Sequence, residues 1–356
     1  MRLKGAHTSH GGRLAAALLL AFVLSACAPR LEDSFDIVCL VYGKAGAPDG
    51  ALMRMRHDAD GSWTKVSEQP LSRAAVLLTP GPFPPGDFQY LTISSGYRTK
   101  TSALWQVPVD SDLVPDHSAS FTGRAVLLVG NNAAATAAAV VFASAEQVDL
   151  RRAEFGREAV NLRANFRCSV AVVRYDRPDS IEVIGESAYA RAAWLSDSRV
   201  AFVRRSGVLV ALDLKNATFD TLAFEVNAIS SAPQAQRYAL GFRGDSISVR
   251  ATDGLAVYPT LRGASVPSLA PDGATLAYHT EDLGVWTVEL ATGKAHELGV
   301  GYPIDWSADG GLVLFYEREV DDRNVARSVF HIADARLGAT VDLPEAGFTV
   351  DAVFLP

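Results

Sequence analysis

A turn signal recurs through the C-terminal half of the chain at intervals of 37, 38 and 37 residues, marked by Asp197, Gln234, Asp272 and Asp309. Each mark precedes a short β-rich run: Val200-Ala201-Phe202-Val203, Tyr238-Ala239-Leu240, Thr275-Leu276-Ala277-Tyr278 and Leu312-Val313-Leu314-Phe315-Tyr316. A fixed period of this length is the mark of propellers and solenoids, in which one supersecondary unit is copied along the chain. The turn chemistry has a physical reason. A tight reversal needs a residue that tolerates positive φ, supplied by Gly273 and Gly310, and an Asp whose carboxylate can accept backbone N–H groups.

A second turn keeps step with the first. Asn216 and Asp253 lie 19 residues after their marks and Thr292 lies 20 after its own. In the clearest unit, residues 264–300, a strand over 266–270 leads through Pro271-Asp272-Gly273 to a strand over 275–280. A third strand over 284–290 places Trp286, Val288 and Leu290 on one face, and Thr292-Gly293-Lys294 turns into a fourth. From Phe35 onward strand-length runs alternate with turn clusters, and no segment sustains a 3.6-residue period. Residues 35–66 read as three strands, 74–107 as the next unit, and 118–188 as two more, with residues 133–139 readable instead as a short helix. The count is seven or eight units.

The two ends of the chain complete each other. Gly347-Phe348-Thr349-Val350-Asp351-Ala352 echoes Gly301-Tyr302-Pro303-Ile304-Asp305-Trp306, the opening strand of the preceding unit, whereas the first unit begins at its second strand. The expected architecture is therefore all-β: a single closed β-propeller of seven or eight four-stranded blades over residues 35–356, its first blade completed by the C-terminal strand. Closure of this kind covers strand edges that would otherwise template aggregation.

The strings Ser268-Leu269-Ala270-Pro271-Asp272-Gly273 and Ile304-Asp305-Trp306-Ser307-Ala308-Asp309-Gly310 resemble the TolB-type repeat, a WD-repeat-like propeller blade. The resemblance is good over residues 264–318, recognisable over 190–263 and faint before that. Gln234-Ala235 departs from it by replacing Asp-Gly. It implies the fold, export and a habit of binding other proteins. The family's namesake also carries an α/β domain ahead of its propeller, for which there is no room between Ala28 and Phe35, so its role in the Tol–Pal envelope system is not carried over.

The N-terminus reads as an export signal: a basic region, an apolar run over residues 14–24, then small residues. An eleven-residue helix spans about 16 Å, roughly half of a bilayer's hydrocarbon core, so a permanent span is not expected. The run ends Leu24-Ser25-Ala26-Cys27, which resembles the bacterial lipobox, in which the cysteine thiol takes a diacylglycerol by thioether linkage and becomes the new N-terminus. Residues 1–26 are then a lipoprotein signal peptide and 27–34 an acylated Cys27 with its tether. Ala28 rather than Asp follows the cysteine, which by the same resemblance implies the outer membrane.

The formal charge of −7 becomes more negative once the signal, with Arg2, Lys4 and Arg13 and no acid, is removed. That balance argues against nucleic acid and against charge-driven adhesion to anionic lipid. Cys39 and Cys168 sit in apolar strand-like runs, where a buried free thiol is commoner than a bridge.

A search for chemistry yields little. There is no G-x-S-x-G, and the histidines of the mature chain, His57, His117, His279, His296 and His331, lack local zinc spacing. Asp58-Ala59-Asp60-Gly61 reads as a hairpin turn rather than a calcium loop. Trp194, Trp286 and Trp306 read as packing between blades rather than a sugar platform. No catalytic residue, metal or cofactor is assigned. The turn residues Asp197, Gln234, Asp272, Gly273, Asp309 and Gly310 are assigned structural roles and Cys27 lipidation. The expected function is a membrane-anchored envelope lipoprotein acting as a protein-interaction module on an envelope protein partner. The alternative is a propeller enzyme or a carbohydrate or small-molecule binder using the central channel.

Overall fold

The computed structural model describes residues 31, 34–43, 46–71, 75–80, 88–94, 101–107, 117–122, 124–134, 136–144, 168–187, 191–320, 326–344 and 348–355. Cys27 and the signal segment lie outside the described residues. The described chain is all-β and forms seven four-stranded antiparallel sheets.

Sheet I contains β1 (Phe35–Tyr42), β2 (Ala51–His57) and β3 (Trp63–Pro70). Sheet II contains β4 (Ala75–Pro80), β5 (Phe88–Ser94), β6 (Thr101–Val107) and β7 (His117–Thr122). Sheet III contains β8 (Arg124–Asn131), β9 (Ala137–Ser144), β10 (Cys168–Arg174) and β11 (Arg177–Ser187). Sheet IV follows with β12 (Ala192–Ser196), β13 (Arg199–Val203), β14 (Leu209–Asp213) and β15 (Thr218–Ala223). Sheet V is β16 (Val226–Ala232), β17 (Arg237–Phe242), β18 (Ser246–Ala251) and β19 (Leu261–Arg262). Sheet VI is β20 (Ala264–Leu269), β21 (Thr275–Thr280), β22 (Gly284–Glu289) and β23 (Ala295–Val300). Sheet VII is β24 (Tyr302–Trp306), β25 (Leu312–Val320), β26 (Ala326–Asp334) and β27 (Thr340–Asp342). The last strand, β28 (Phe348–Phe354), then pairs antiparallel with β1, from Ile37 opposite Phe354 to Tyr42 opposite Phe348, and completes sheet I. The two ends of the chain thus share one sheet, as the echo at 347–352 predicts.

Two readings of the sequence are refined. Residues 118–188 hold the last strand of sheet II and a single further sheet rather than two units. Residues 133 and 134 form a turn and 137–139 open β9 rather than a helix; β9 is a central strand, and its alanines at 137–139 are buried.

The core sits in the seams between consecutive sheets. Val170 of sheet III packs with Phe202 of sheet IV, and Leu195 of sheet IV clusters with Tyr238 of sheet V. Val249 of sheet V joins Leu276 and Val288 of sheet VI, and Val285 of sheet VI joins Phe315 of sheet VII. Leu314 of sheet VII joins Cys39 and Phe354 of sheet I, and Leu40 joins Leu78 of sheet II. Phe121 of sheet II clusters with Val126 and Val140 of sheet III. Because the second strand of a sheet lies between two seams, the described second strands are buried on both faces through their middles. Thr275–Thr280 shows this, with only its last residue less than fully buried.

The first strand of every sheet carries an extra residue. The register shifts between Ala75 and Leu77, Val126 and Leu128, Trp194 and Ser196, Val226 and Ala228, Ser265 and Ser268, and Pro303 and Asp305. In β28 it shifts between Thr349 and Asp351, opposite Val41 and Leu40. A bulge sharpens local twist and re-aims the side chain that it carries, so these strands are shaped differently from the flat ladders behind them.

Candidate functional site

First strands meet first strands. β12 lies beside β8 and β16, β20 beside β16 and β24, and β28 beside β24 and β4. Between five of them, β8, β12, β16, β20 and β24, is a cavity of about 390 Å³. The bulged positions Leu127, Val266, Pro267 and Ile304 all line it. Val266 has φ of 50°, a left-handed conformation that a β-branched residue rarely adopts. Here the bulge and the following proline hold it against the cavity.

The lining is mainly small and apolar, with Asn131, Ser230, Ser231 and Ser268 as neutral polar groups and Arg191 and Asp305 as charged ones. Burial pushes the Arg191 guanidinium below its usual pKa. Among the described lining residues there is no histidine, cysteine, glutamate or lysine. Several of the polar groups are already engaged in tying sheet to sheet.

Those ties repeat. The residue four places before the turn mark is Ser230 in sheet V, Ser268 in sheet VI and Asp305 in sheet VII. Ser230 Oγ accepts the Leu269 backbone N–H (2.9 Å), Ser268 Oγ accepts the Trp306 indole N–H (3.1 Å), and Asp305 Oδ2 accepts the Phe354 N–H (3.1 Å). Asp351, which stands where Asp305 does in the echoed strings, is buried and accepts the Leu78 N–H of β4 at 2.8 Å. In each case the donor belongs to the following sheet. Trp194 makes the complementary contact, donating its indole N–H to the Gly130 carbonyl of β8 at 2.8 Å. Buried polar atoms must find partners, and these find them across the seams.

The turn marks also work between sheets. Asp197 Oδ1 accepts the Ala134 N–H (2.9 Å) of sheet III, and Arg237 donates to the Gly273 carbonyl (2.7 Å). Asp272 and Asp309 close their own turns by accepting the N–H groups of Ala274 (2.8 Å) and Gly311 (3.0 Å). The Ser307 hydroxyl and the Gly311 N–H hold the Asp309 carboxyl below the usual carboxylate range. Gly273 and Gly310 have φ of 66° and 72°. A Cβ on Gly273 would lie 2.6 Å from that of Ala235, so the methyl of the departing Gln234-Ala235 turn faces the glycine of the next. Gln234 itself closes no Asp-type turn; there the left-handed residue is Gln236, at φ 53°.

His279 is buried, its Nδ1 2.8 Å from the Gly301 carbonyl and its ring stacked on Tyr302 with centroids 4.3 Å apart. Asp60 accepts the Ser62 N–H in the β2–β3 turn. Trp286 packs beside the cluster that holds Val288 and Leu290. Cys39 and Cys168 are buried free thiols. Burial pushes both upward, Cys168 to about 11. His117 carries no described side chain. No group of three or more metal-ligating side chains occurs among the described residues. Sequence reasoning missed Arg191, which belongs to no repeat, and Asp305, for which the echo at 347–352 was a usable signal. No protein-family model matches the chain, and no curated protein matches it.

Proposed function

We propose that the seven sheets are the blades of one closed β-propeller, and that the protein is a lipid-anchored lipoprotein of the bacterial outer membrane serving as an interaction module for another envelope protein. The pairing of β28 with β1 and the packing of sheet VII on sheet I support the closed ring. The lipobox-like Leu24-Ser25-Ala26-Cys27 supports the anchor, and the likeness to TolB-type repeats supports protein binding.

The observation that carries binding over catalysis is the lining of the cavity. It is mainly apolar, and the oxygens of Ser230, Ser268 and Asp305 accept N–H groups of neighbouring sheets rather than standing poised for proton transfer. A scaffold cross-tied in this way holds its loops in fixed positions, where recognition concentrates. Crosslinking and pull-down of the acylated protein from native envelopes tests the reading. One reproducible protein partner is the expected result; none, together with glycan turnover by the purified protein, overturns it.

A second reading rests on the cavity itself. About 390 Å³ is enough to enclose a small molecule, and Arg191 and Asp305 are the charged residues that line it. Thermal-shift screening of small zwitterions and anions on the wild type and on Arg191→Ala tests it. A shift lost in the variant supports a small-molecule site, and no shift in either removes it.

A further inference from the structure

Leu31 decides how such an anchored domain would sit. It lies four residues beyond Cys27 and is buried at 5% exposure. It belongs to the apolar cluster in the seam between sheets VII and I, together with Met55, Phe330, Ala339 and Leu343. Ser34 is fixed as well: its Oγ accepts the Ala59 N–H of the β2–β3 turn at 3.1 Å. The leash from Cys27 to the folded body is therefore short. Four residues of extended chain reach about 14 Å, against about 28 Å were the chain loose as far as Phe35.

The leash also leaves from a defined end. β1 begins beside the end of β28, where the Leu355 N–H is donated to the Asp36 carbonyl at 3.0 Å. In sheets IV to VII the junction of first and second strands is the marked turn. Phe35, the β2–β3 turn and the Asp334–Gly338 turn of sheet VII thus share the end that carries Asp272 and Asp309. At that end, next to Ala339, stands Leu337, 61% exposed, with Arg336 beside it. A leucine with an adjacent cation suits the boundary between acyl chains and headgroups. Asp58 and Asp60 lie on the same rim, so net charge does not hold the contact; the acyl chains and Leu337 do.

We infer that the turn-bearing rim of sheets I and VII rests against the lipid surface, held there by Leu31, and that the opposite end faces away from the membrane. This rests on acylation of Cys27 as proposed above. The outward end carries Phe224, Leu283 and Val300, exposed at 66%, 52% and 45%, and is the surface left for a protein partner.

Depth-dependent quenching tests the orientation. The acylated protein is placed in phosphatidylethanolamine vesicles containing a lipid-borne quencher, with a thiol-reactive fluorophore at Leu337→Cys or at Arg243→Cys in the β17–β18 turn of the opposite end. The buried Cys39 and Cys168 thiols do not compete for the label. Quenching several-fold greater at 337 than at 243 is expected. A fifteen-residue Gly/Ser insertion between Ala28 and Pro29 should abolish the difference. Equal quenching in the uninserted, acylated protein overturns the orientation alone. A mature chain whose mass shows no acyl group overturns the anchor and the orientation with it.

Discussion

Deletion of residues 345–356 removes β28 and is the severest test of the architecture. The strand buries Val350, Val353, Phe354 and, just beyond its end, Leu355, none more than 8% exposed. At about 1.5–3 kcal/mol for each fully buried side chain of this size, their removal costs about 6–12 kcal/mol. The loss also unpairs the Leu78 N–H from Asp351 and removes the Phe354 donor to Asp305, each a bond to a carboxylate contributing about 1.5–3 kcal/mol. Whole domains are stable by only about 5–15 kcal/mol, so the shortened chain should lose its cooperative urea transition. It should also aggregate through the bared edge of β1. A synthetic peptide of residues 345–356 should restore the transition by adding the missing strand. Asp351→Ala should lower the unfolding free energy by about 1–3 kcal/mol, with Asp351→Asn milder because the amide oxygen can still accept the Leu78 N–H. An unchanged urea midpoint in the truncated chain would refute the claim that its C-terminal strand locks sheet I to its neighbours.

Three further outcomes follow from local geometry. Gly301 has φ of 136°, and an added Cβ would lie 2.2 Å from the Tyr316 carbonyl oxygen. Gly301→Ala should therefore destabilise by about 2–4 kcal/mol. Gly61→Ala, at φ 86° with nothing within 4 Å, should cost only about 1–2 kcal/mol; equal shifts in melting temperature would contradict the steric argument. Trp306→Phe removes the indole donor to Ser268 and should cost about 1 kcal/mol in urea titration without altering the far-UV spectrum. For Asp309, whose folded pKa lies below the ordinary 3.8, the stabilisation is present above that value and is lost as pH falls through the folded pKa. Asp309→Asn should flatten the acid limb of the stability curve, and an unaltered limb would show that the carboxylate does not contribute.

The sequence carried the fold wherever a backbone requirement can be met by few residue types. Positive φ after a turn mark is met most easily by glycine, so Gly273 and Gly310 recur in step and are visible. The N-terminal half was less legible because its turns are not in step: Ala47-Pro48-Asp49-Gly50 closes a second-to-third-strand connection rather than a first-to-second one. Residues 145–167, between β9 and β10, stretch this unit past the 37- to 38-residue period, which is why 118–188 looked long enough for two units. The bulges escaped altogether. An extra residue in a strand leaves no signature when the residues are as varied as Leu127, Asn227, Val266 and Ile304.

The seam ties show the same limit from the other side. Four places before the mark, sheets V, VI and VII use a side-chain oxygen that accepts an N–H from the following sheet, whereas sheet IV has Ala193 there. Ser230, Ser268 and Asp305 all supply that oxygen, so the chemistry repeats while the letter does not. Only where two units happen to use the same residue, Asp305 and Asp351, did the repetition surface in the sequence. Arg191 is the converse case: it lines the cavity, and the positions that match it six places before the other marks are Ala228, Val266 and Pro303. Replacing any of the seam oxygens should lower the urea midpoint, because each replacement leaves an N–H of the following sheet without its acceptor.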